Sequence, residues 1–301
     1  METALGSDDN RQMRAPLLVQ AKWLAANLDK PNLRILDSTT RLVADDATGL
    51  ERPRGDVEGF EAGHIPGARL LDLQRDLSAA GTPLLFMAPR ESEFAASVGR
   101  LGIDETSHVV VYSRGNPWWA TRVWWVFRLF GLDNISVLDG GWKNWLHEQG
   151  QVETGPARPP LATTSAPSLS RRELIATREM VLAAIADPQT EIVNALPAES
   201  FSGKAAPSTG RPGRIAGSVS LPAGDLLDAA TGRFLPAAAI AERLGVAGLE
   251  PAKQAIAYCG GGVAASAIVF AAALAGRNHP LLYDGSMQEW AVDDSLPMEV
   301  G

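Results

Sequence analysis

Along this chain, short apolar runs that end in a polar residue alternate with longer stretches of helical periodicity. The runs I-L-D, V-V-V-Y and S-V-L-D are examples of the first kind. Brief runs rich in β-branched residues are typical of strands buried on both faces of a parallel sheet. Helices are predicted at residues 15–28, 92–101, 120–130, 178–186, 237–244 and 264–275. The alternation predicts an α/β fold with helices on both faces of a mainly parallel sheet.

The same pattern occurs twice. G-H-I-P-G-A at 63–68 is matched by G-R-I-A-G-S at 213–218, and H-V-V-V-Y-S at 108–113 by Q-A-I-A-Y-C at 254–259. Between the copies lies a stretch rich in proline, serine and threonine without a visible period, as is typical of a linker. We therefore predict two tandem α/β domains of one fold, at 16–150 and 172–301, joined by a linker at 151–171.

Composition narrows the function classes. A net charge of −8 over 301 residues argues against nucleic acid as the main partner. The most apolar segments are too short to span a bilayer, and the first twenty residues lack the long apolar run of a signal peptide. A single cysteine excludes an intramolecular disulfide and a multi-cysteine metal site. We expect a cytoplasmic protein that uses no metal or organic cofactor and binds neither nucleic acid nor membrane.

The single cysteine stands in an unusual loop. Cys259 directly follows the predicted strand 254–258, and Gly260, Gly261, Gly262, Val263 and Ala264 lead into the next helix. Ligands bind at this carboxyl edge of α/β sheets. Three glycines allow the loop amides to converge as an anion nest, and the helix N-terminus adds its positive dipole end, so a thiolate is favoured. The alternative is a buried structural cysteine; the arrangement favours a reactive thiol.

These motifs, together with A-T-R-V-W-W-V-F-R-L-F-G at 120–131, V-L-D-G-G and Y-D-G-S, resemble a tandem rhodanese-family sulfurtransferase. The resemblance implies that Cys259 carries a sulfur atom as a persulfide within the loop 259–264. It also implies that the first domain is inactive, since Ser113 occupies the matching position. The sulfur would come from a small anionic donor and pass to a thiol, such as thioredoxin or a small thiol, or to cyanide.

The loop C-G-G-G-V-A is similar to the C-G-S-G-V-T of mercaptopyruvate-using members, with Gly261 and Ala264 in place of two hydroxyl residues. The resemblance therefore favours 3-mercaptopyruvate as donor, with thiosulfate as the alternative. Leu196 and Ser200 stand where the family usually has donor-binding arginines. Lys204, Arg211 and Arg214 are the candidate substitutes.

Two residues of the first domain are candidates for a proton relay. In mercaptopyruvate-using relatives, a histidine in the G-H-I-P-G-A motif pairs with an upstream aspartate, which here implies His64 and Asp56. A structural role for His64 is the alternative.

Other classes of cysteine enzyme fit the sequence less well than a sulfurtransferase. A cysteine phosphatase needs an arginine six residues after its cysteine, where this chain has Ala265, and no motif supplies the base of a cysteine protease. The alternative from another class is a non-catalytic or weakly active sulfur-binding or regulatory module of the same fold.

Overall fold

The protein is described by a computed structural model that covers residues 15–44, 51–157, 159, 170–207, 209–250, 252–277 and 279–301. Among these residues, the strands of the first half are β1 Leu18–Val19, β2 Leu33–Asp37, β3 Thr40–Ala44, β4 Glu51–Gly55, β5 Ala68–Leu70, β6 His108–Tyr112 and β7 Ile135–Leu138. Five of them form a parallel sheet in the order β1-β7-β6-β2-β5, and β3 and β4 pair as a separate antiparallel hairpin.

In the described part of the first half, the helices are α1 Ala21–Ala25, α2 Val57–Ala62, α3 Leu73–Asp76, α4 Glu91–Arg100, α5 Trp118–Leu129 and α6 Gly141–His147. Strand β6 shows how the sheet is buried. Val109 and Val111 enter one apolar cluster, whereas Val110 and Tyr112 enter another. Because successive strand residues point to opposite faces, the sheet is covered on both faces, as predicted.

The second half repeats this architecture. Its strands are β8 Ile175–Ala176, β9 Thr190–Asn194, β10 Arg214–Ile215, β11 Val219–Ser220, β12 Gln254–Tyr258, β13 Leu281–Tyr283 and β14 Met298–Glu299. The parallel sheet has the order β11-β9-β12-β13-β8, which is the order of the first sheet read from the other edge. Strands β10 and β14 form a separate antiparallel pair. The helices are α7 Arg178–Ala184, α8 Ala198–Phe201, α9 Ala237–Val246, α10 Ala265–Leu274 and α11 Ser286–Trp290.

One predicted helix differs clearly from the structure. Residues 15–28 do not form one helix: Leu18 and Val19 pair with Val137 and Leu138 at the sheet edge, and only Ala21–Ala25 is helical. Pairing with a strand distant in sequence overrides the local helical pattern here. The other predicted helices begin or end within about two residues of the observed ones.

The two halves share a continuous apolar core. The largest buried cluster contains residues of α5 and α10, and the Trp124 and Phe270 rings meet edge to face with centroids 4.8 Å apart. The domain bounds and linker stay predictions, since most of 158–169 lies outside the described residues. Within the described part of the chain, no helix has both the length and the apolar composition needed to cross a membrane.

Candidate active site

Cys259 lies at the carboxyl end of β12, between that central strand and the first turn of α10. It is buried, with 2% of its surface exposed. Tyr258, the residue before it, is fixed by two hydrogen bonds: its hydroxyl accepts from the Ile215 amide (3.0 Å) and bonds the Ser218 hydroxyl (2.8 Å). Burial raises the pKa of Tyr258, so its phenol stays neutral. Its hydrogen bonds fix the end of β12, directly before the cysteine.

A serine that follows β13 organises the cysteine loop. The Ser286 hydroxyl accepts hydrogen bonds from the amides of Cys259 and Gly262, both at 3.1 Å, and donates to the Tyr283 carbonyl at 2.8 Å. Ser286 has a φ of 50°, a left-handed conformation that is uncommon for residues other than glycine. Its backbone therefore adopts an unfavourable angle at the point where its hydroxyl holds two loop amides.

The remaining loop amides are available to a ligand. Within the described ranges, the amides of Gly260, Gly261, Val263 and Ala264 have no hydrogen-bond acceptor, whereas the carbonyls of Cys259 and Gly260 accept from the amides that begin α11. Gly262 has a φ of 76°, which turns the chain into α10. These four amides are the donors that the predicted anion nest would use.

The first domain also contributes to this loop. The buried Arg122 guanidinium of α5 lies 2.7 Å from the Asp284 carboxylate, 3.4 Å from the Gly262 carbonyl, and also donates to the Phe86 carbonyl. The second Asp284 oxygen accepts from the Ala88 amide at 2.6 Å.

Two further side-chain contacts join the domains at the same place. The Gln288 amide bonds both backbone groups of Leu85, at 2.8 and 2.9 Å. The hydroxyls of Thr121 and Ser266, at the start of α5 and α10, lie 2.8 Å apart. Both domains therefore build the site, although the cysteine belongs to the second.

The matching loop of the first domain is arranged differently. The Ser113 hydroxyl donates to the Asn116 carbonyl of its own loop at 2.7 Å. Gly141 stands where the second copy has Ser286, and the hydroxyl that holds an amide of this loop is that of Thr39, which accepts from the Arg114 amide at 3.0 Å. Sequence reasoning missed Ser286, but a signal existed: D-G-G in the first copy becomes D-G-S in the copy that carries the cysteine.

The candidate donor-binding cations make other contacts. Arg211 donates to the carbonyls of Ala291 (3.2 Å), Trp290 (3.4 Å), Asp293 (2.5 Å) and Leu296 (3.1 Å). Arg214 lies 4.6 Å from the Phe201 ring centre, pairs with Glu299 at 3.1 Å and donates to the carbonyl of Gly301 at 2.7 Å. Lys204 is exposed. The observed contacts of both arginines lie with the last residues of the chain and with Phe201, not with Cys259.

Among the described residues, the contacts of His64 and Asp56 lie within the first domain and with Glu153, which directly follows that domain. The buried His64 ring stacks on Phe60 at 3.9 Å, bonds the Phe60 carbonyl at 2.9 Å and lies 3.9 Å from the Glu153 carboxylate. Asp56 caps α2 by accepting from the Gly59 amide and pairs with Arg41. None of these contacts joins the two side chains, and a relay through them stays a prediction.

In the described ranges, no group of three or more histidine, cysteine, aspartate or glutamate side chains is arranged to hold a metal ion. The fold and loop together define a two-domain α/β protein with a cysteine loop at the carboxyl edge of its second sheet. The rhodanese-like domain family matches residues 20–148 and 177–293. The chain belongs to this family.

Named relatives extend the similarity to nearly full length. The chain is 30% identical to the 3-mercaptopyruvate sulfurtransferase of Escherichia coli over 95% of this chain and 99% of that protein. It is 33% identical to the thiosulfate sulfurtransferase of Gallus gallus, over 91% and 92% of the two chains. The crystal structure of SseA from Escherichia coli, described as a 3-mercaptopyruvate sulfotransferase, superimposes with a TM-score of 0.78 at 29% identity, over 90% of this chain and 99% of SseA. The protein is a sulfurtransferase of the rhodanese family with two tandem domains.

Proposed function

We propose that this sulfurtransferase moves sulfane sulfur from a small anionic donor, through a persulfide on Cys259, to a thiol or cyanide acceptor. The observation that carries the proposal is the loop itself: the sole cysteine stands beside four amides that have no acceptor among the described residues. Amides aimed at one point hold negative sulfur without moving during the reaction.

In the first step, the Cys259 thiolate attacks the sulfur that will be transferred. This is the thiol sulfur of 3-mercaptopyruvate or the outer sulfur of thiosulfate. With 3-mercaptopyruvate, a sulfur–sulfur bond forms, the carbon–sulfur bond of the donor breaks, and the pyruvate enolate leaves with the bonding electrons and takes a proton. With thiosulfate, the donor's sulfur–sulfur bond breaks and sulfite leaves. The loop amides would stabilise the negative charge of the bound outer sulfur.

In the second step, an acceptor thiolate attacks that outer sulfur. A new sulfur–sulfur bond forms on the acceptor, the Cys259 persulfide bond breaks, and the cysteine returns as a thiolate. Cyanide would take the sulfur as thiocyanate. A small thiol or thioredoxin is the proposed biological acceptor. Neither step requires a redox cofactor, because the oxidation of the 3-mercaptopyruvate sulfur to the persulfide level is balanced by the donor carbon, which keeps the electrons of the broken carbon–sulfur bond and is protonated.

We favour 3-mercaptopyruvate as the donor. Support comes from the C-G-G-G-V-A loop, which carries no basic residue for a dianion, and from relatives named for that substrate. Relatives named for thiosulfate keep that donor as the alternative. Arg214 is the proposed donor-binding cation of the second domain, and engaging a donor would require it to leave Glu299. His64 and Asp56 stay the proposed relay.

Intact mass spectrometry tests the proposal directly. The protein is measured before and after separate incubation with 3-mercaptopyruvate and with thiosulfate. We expect a gain of one sulfur atom, faster with 3-mercaptopyruvate and reversed by excess thiol. Cys259→Ser should gain no sulfur and stay folded, since serine occupies the same position in the first copy. Ser113→Ala is the matched control and should gain sulfur at the rate of the parent. Sulfur gain by Cys259→Ser would refute the mechanism.

A non-catalytic or weakly active sulfur-binding or regulatory module is the second candidate function. It is favoured by Leu196 in place of a donor-binding arginine and by the backbone contacts that occupy Arg211. The same experiment separates the two functions, because a protein that gains no sulfur from either donor would be such a module.

A further inference from the structure

In each domain, an aspartate at the carboxyl edge of the sheet is bound by residues of the other domain. Asp284 follows β13 and accepts the Ala88 amide, and it pairs with Arg122; both partners belong to the first domain. Asp139 follows β7 and accepts the Phe234 amide at 3.0 Å, and it lies 3.7 Å from the Arg233 guanidinium; both partners belong to the second domain. We name these the Asp284 clamp and the Asp139 clamp.

The two clamps differ in what they touch. Arg122 is fully buried and reaches three groups: the Asp284 carboxylate, the Gly262 carbonyl and the Phe86 carbonyl. The Arg122 guanidinium carbon lies 4.6 Å from the centre of the Trp125 ring. Arg233 is one-third exposed and reaches Asp139 and the Gln20 side chain. The Asp284 clamp therefore includes the cysteine loop, and the Asp139 clamp does not.

The contacts from Arg122 continue to the cysteine by two routes. Asp284 is two residues from Ser286, whose hydroxyl holds the amides of Cys259 and Gly262. The other route is direct, through the Gly262 carbonyl. An arginine has a rigid planar fork of donors, so it can fix the aspartate and the two carbonyls at once.

We propose that Arg122 is a positioning residue for sulfur transfer: it fixes the cysteine loop through Asp284 and Gly262, which makes the first domain part of the catalytic machinery although it has no cysteine. This inference rests on the proposed role of Cys259. A loop held from the neighbouring domain keeps its amides fixed in position relative to the sulfur, and small displacements of such groups have large effects on rate.

The test compares matched variants of the two clamps in the full chain. Arg122→Lys keeps the charge but loses the fork, and Asp284→Asn keeps an acceptor for the Ala88 amide but loses the charge. Arg233→Lys and Asp139→Asn make the same changes in the clamp that does not touch the loop. Each variant is assayed for kcat and KM of sulfur transfer, for hydrogen exchange of the peptide that contains residues 259–264, and for Tm.

We expect kcat to fall on the order of 10- to 100-fold in the Asp284-clamp variants with little change in KM. Exchange of the loop peptide should be about tenfold faster or more. The Asp139-clamp variants should lower Tm but keep kcat and loop exchange near those of the parent. Equal changes in both pairs, or no change in folded Asp284→Asn, would overturn the proposal. If the parent itself transferred no sulfur, the proposed function would fail, and loop exchange would still decide whether Arg122 positions the loop.

Discussion

Gly262 offers a stringent test of how the cysteine loop is built. Its φ of 76° is costly for any residue with a Cβ, about 1–2 kcal/mol. A Cβ there would lie 2.8 Å from one Asp284 carboxylate oxygen, 3.0 Å from the Asp284 carbonyl and 3.2 Å from the Arg122 guanidinium. The Asp284 and Arg122 side chains are buried and form an ion pair at 2.7 Å, so they cannot move apart from a new Cβ without weakening that contact, at about 1–3 kcal/mol. Gly262→Ala should therefore lose about 2–5 kcal/mol of stability.

Gly260→Ala is the matched control. A Cβ at Gly260 meets no atom within 4 Å. Both substitutions reduce the conformational entropy of the unfolded chain equally, by about 0.4–1 kcal/mol, and this contribution cancels in the comparison. Equilibrium urea unfolding followed by tryptophan fluorescence gives both free energies. If Gly262→Ala were as stable as Gly260→Ala, the contacts between the loop, Asp284 and Arg122 would not have the geometry described here.

Three other predictions concern the site and its counterpart. Ser286→Ala should be less stable than Ser286→Gly by about 1 kcal/mol, because both lose the hydroxyl but only glycine tolerates the left-handed φ. Thermal unfolding of the two variants measures this difference. A more stable Ser286→Ala would contradict the prediction. Arg211→Met should lower Tm by removing backbone hydrogen bonds and leave KM for 3-mercaptopyruvate unchanged; a raised KM would instead identify Arg211 as a donor-binding residue. The Tm of Asp37→Asn relative to that of the parent should increase as pH rises from the acidic range to neutrality, as measured at a series of pH values. A difference in Tm that did not change with pH would contradict this prediction.

The sign of the last prediction follows from burial. Burial raises the pKa of Asp37 in the folded protein, partly opposed by hydrogen bonds from Thr39 and by Arg114. The folded state therefore binds the proton more tightly than the unfolded chain. The cost of ionising the buried carboxyl is absent below its ordinary pKa and grows as pH rises through the folded value. Asparagine has no such cost, and Asn194 already occupies the equivalent position in the second domain.

The sequence was sufficient to predict what local periodicity and duplication determine. Strand β12 and the start of α10 were predicted within a residue, because an apolar run, a glycine loop and a helical stretch follow one another without ambiguity. The matching strand orders of the two sheets agree with the predicted tandem repeat.

Contacts between distant residues were not predictable in this way. Asp139 and Asp284 stand in matching D-G motifs, which are typical of turns, but each also accepts an amide from the opposite domain. Arg122 lies in a largely apolar helix, and its partner Asp284 is far away in the sequence. Only the packing of α5 against α10 brings such groups together, so spacing along the chain carries no signal for them.

The apolar cluster that runs without interruption from α5 to α10 makes the two repeats interdependent in folding. Neither half can expose its side of that cluster without disrupting the other, so the chain should unfold in a single cooperative transition. Cleavage of the linker should leave two fragments that remain associated. Duplication has here produced one folding unit assembled from two similar halves, and deletion of the half without a cysteine would expose the apolar surface of the other.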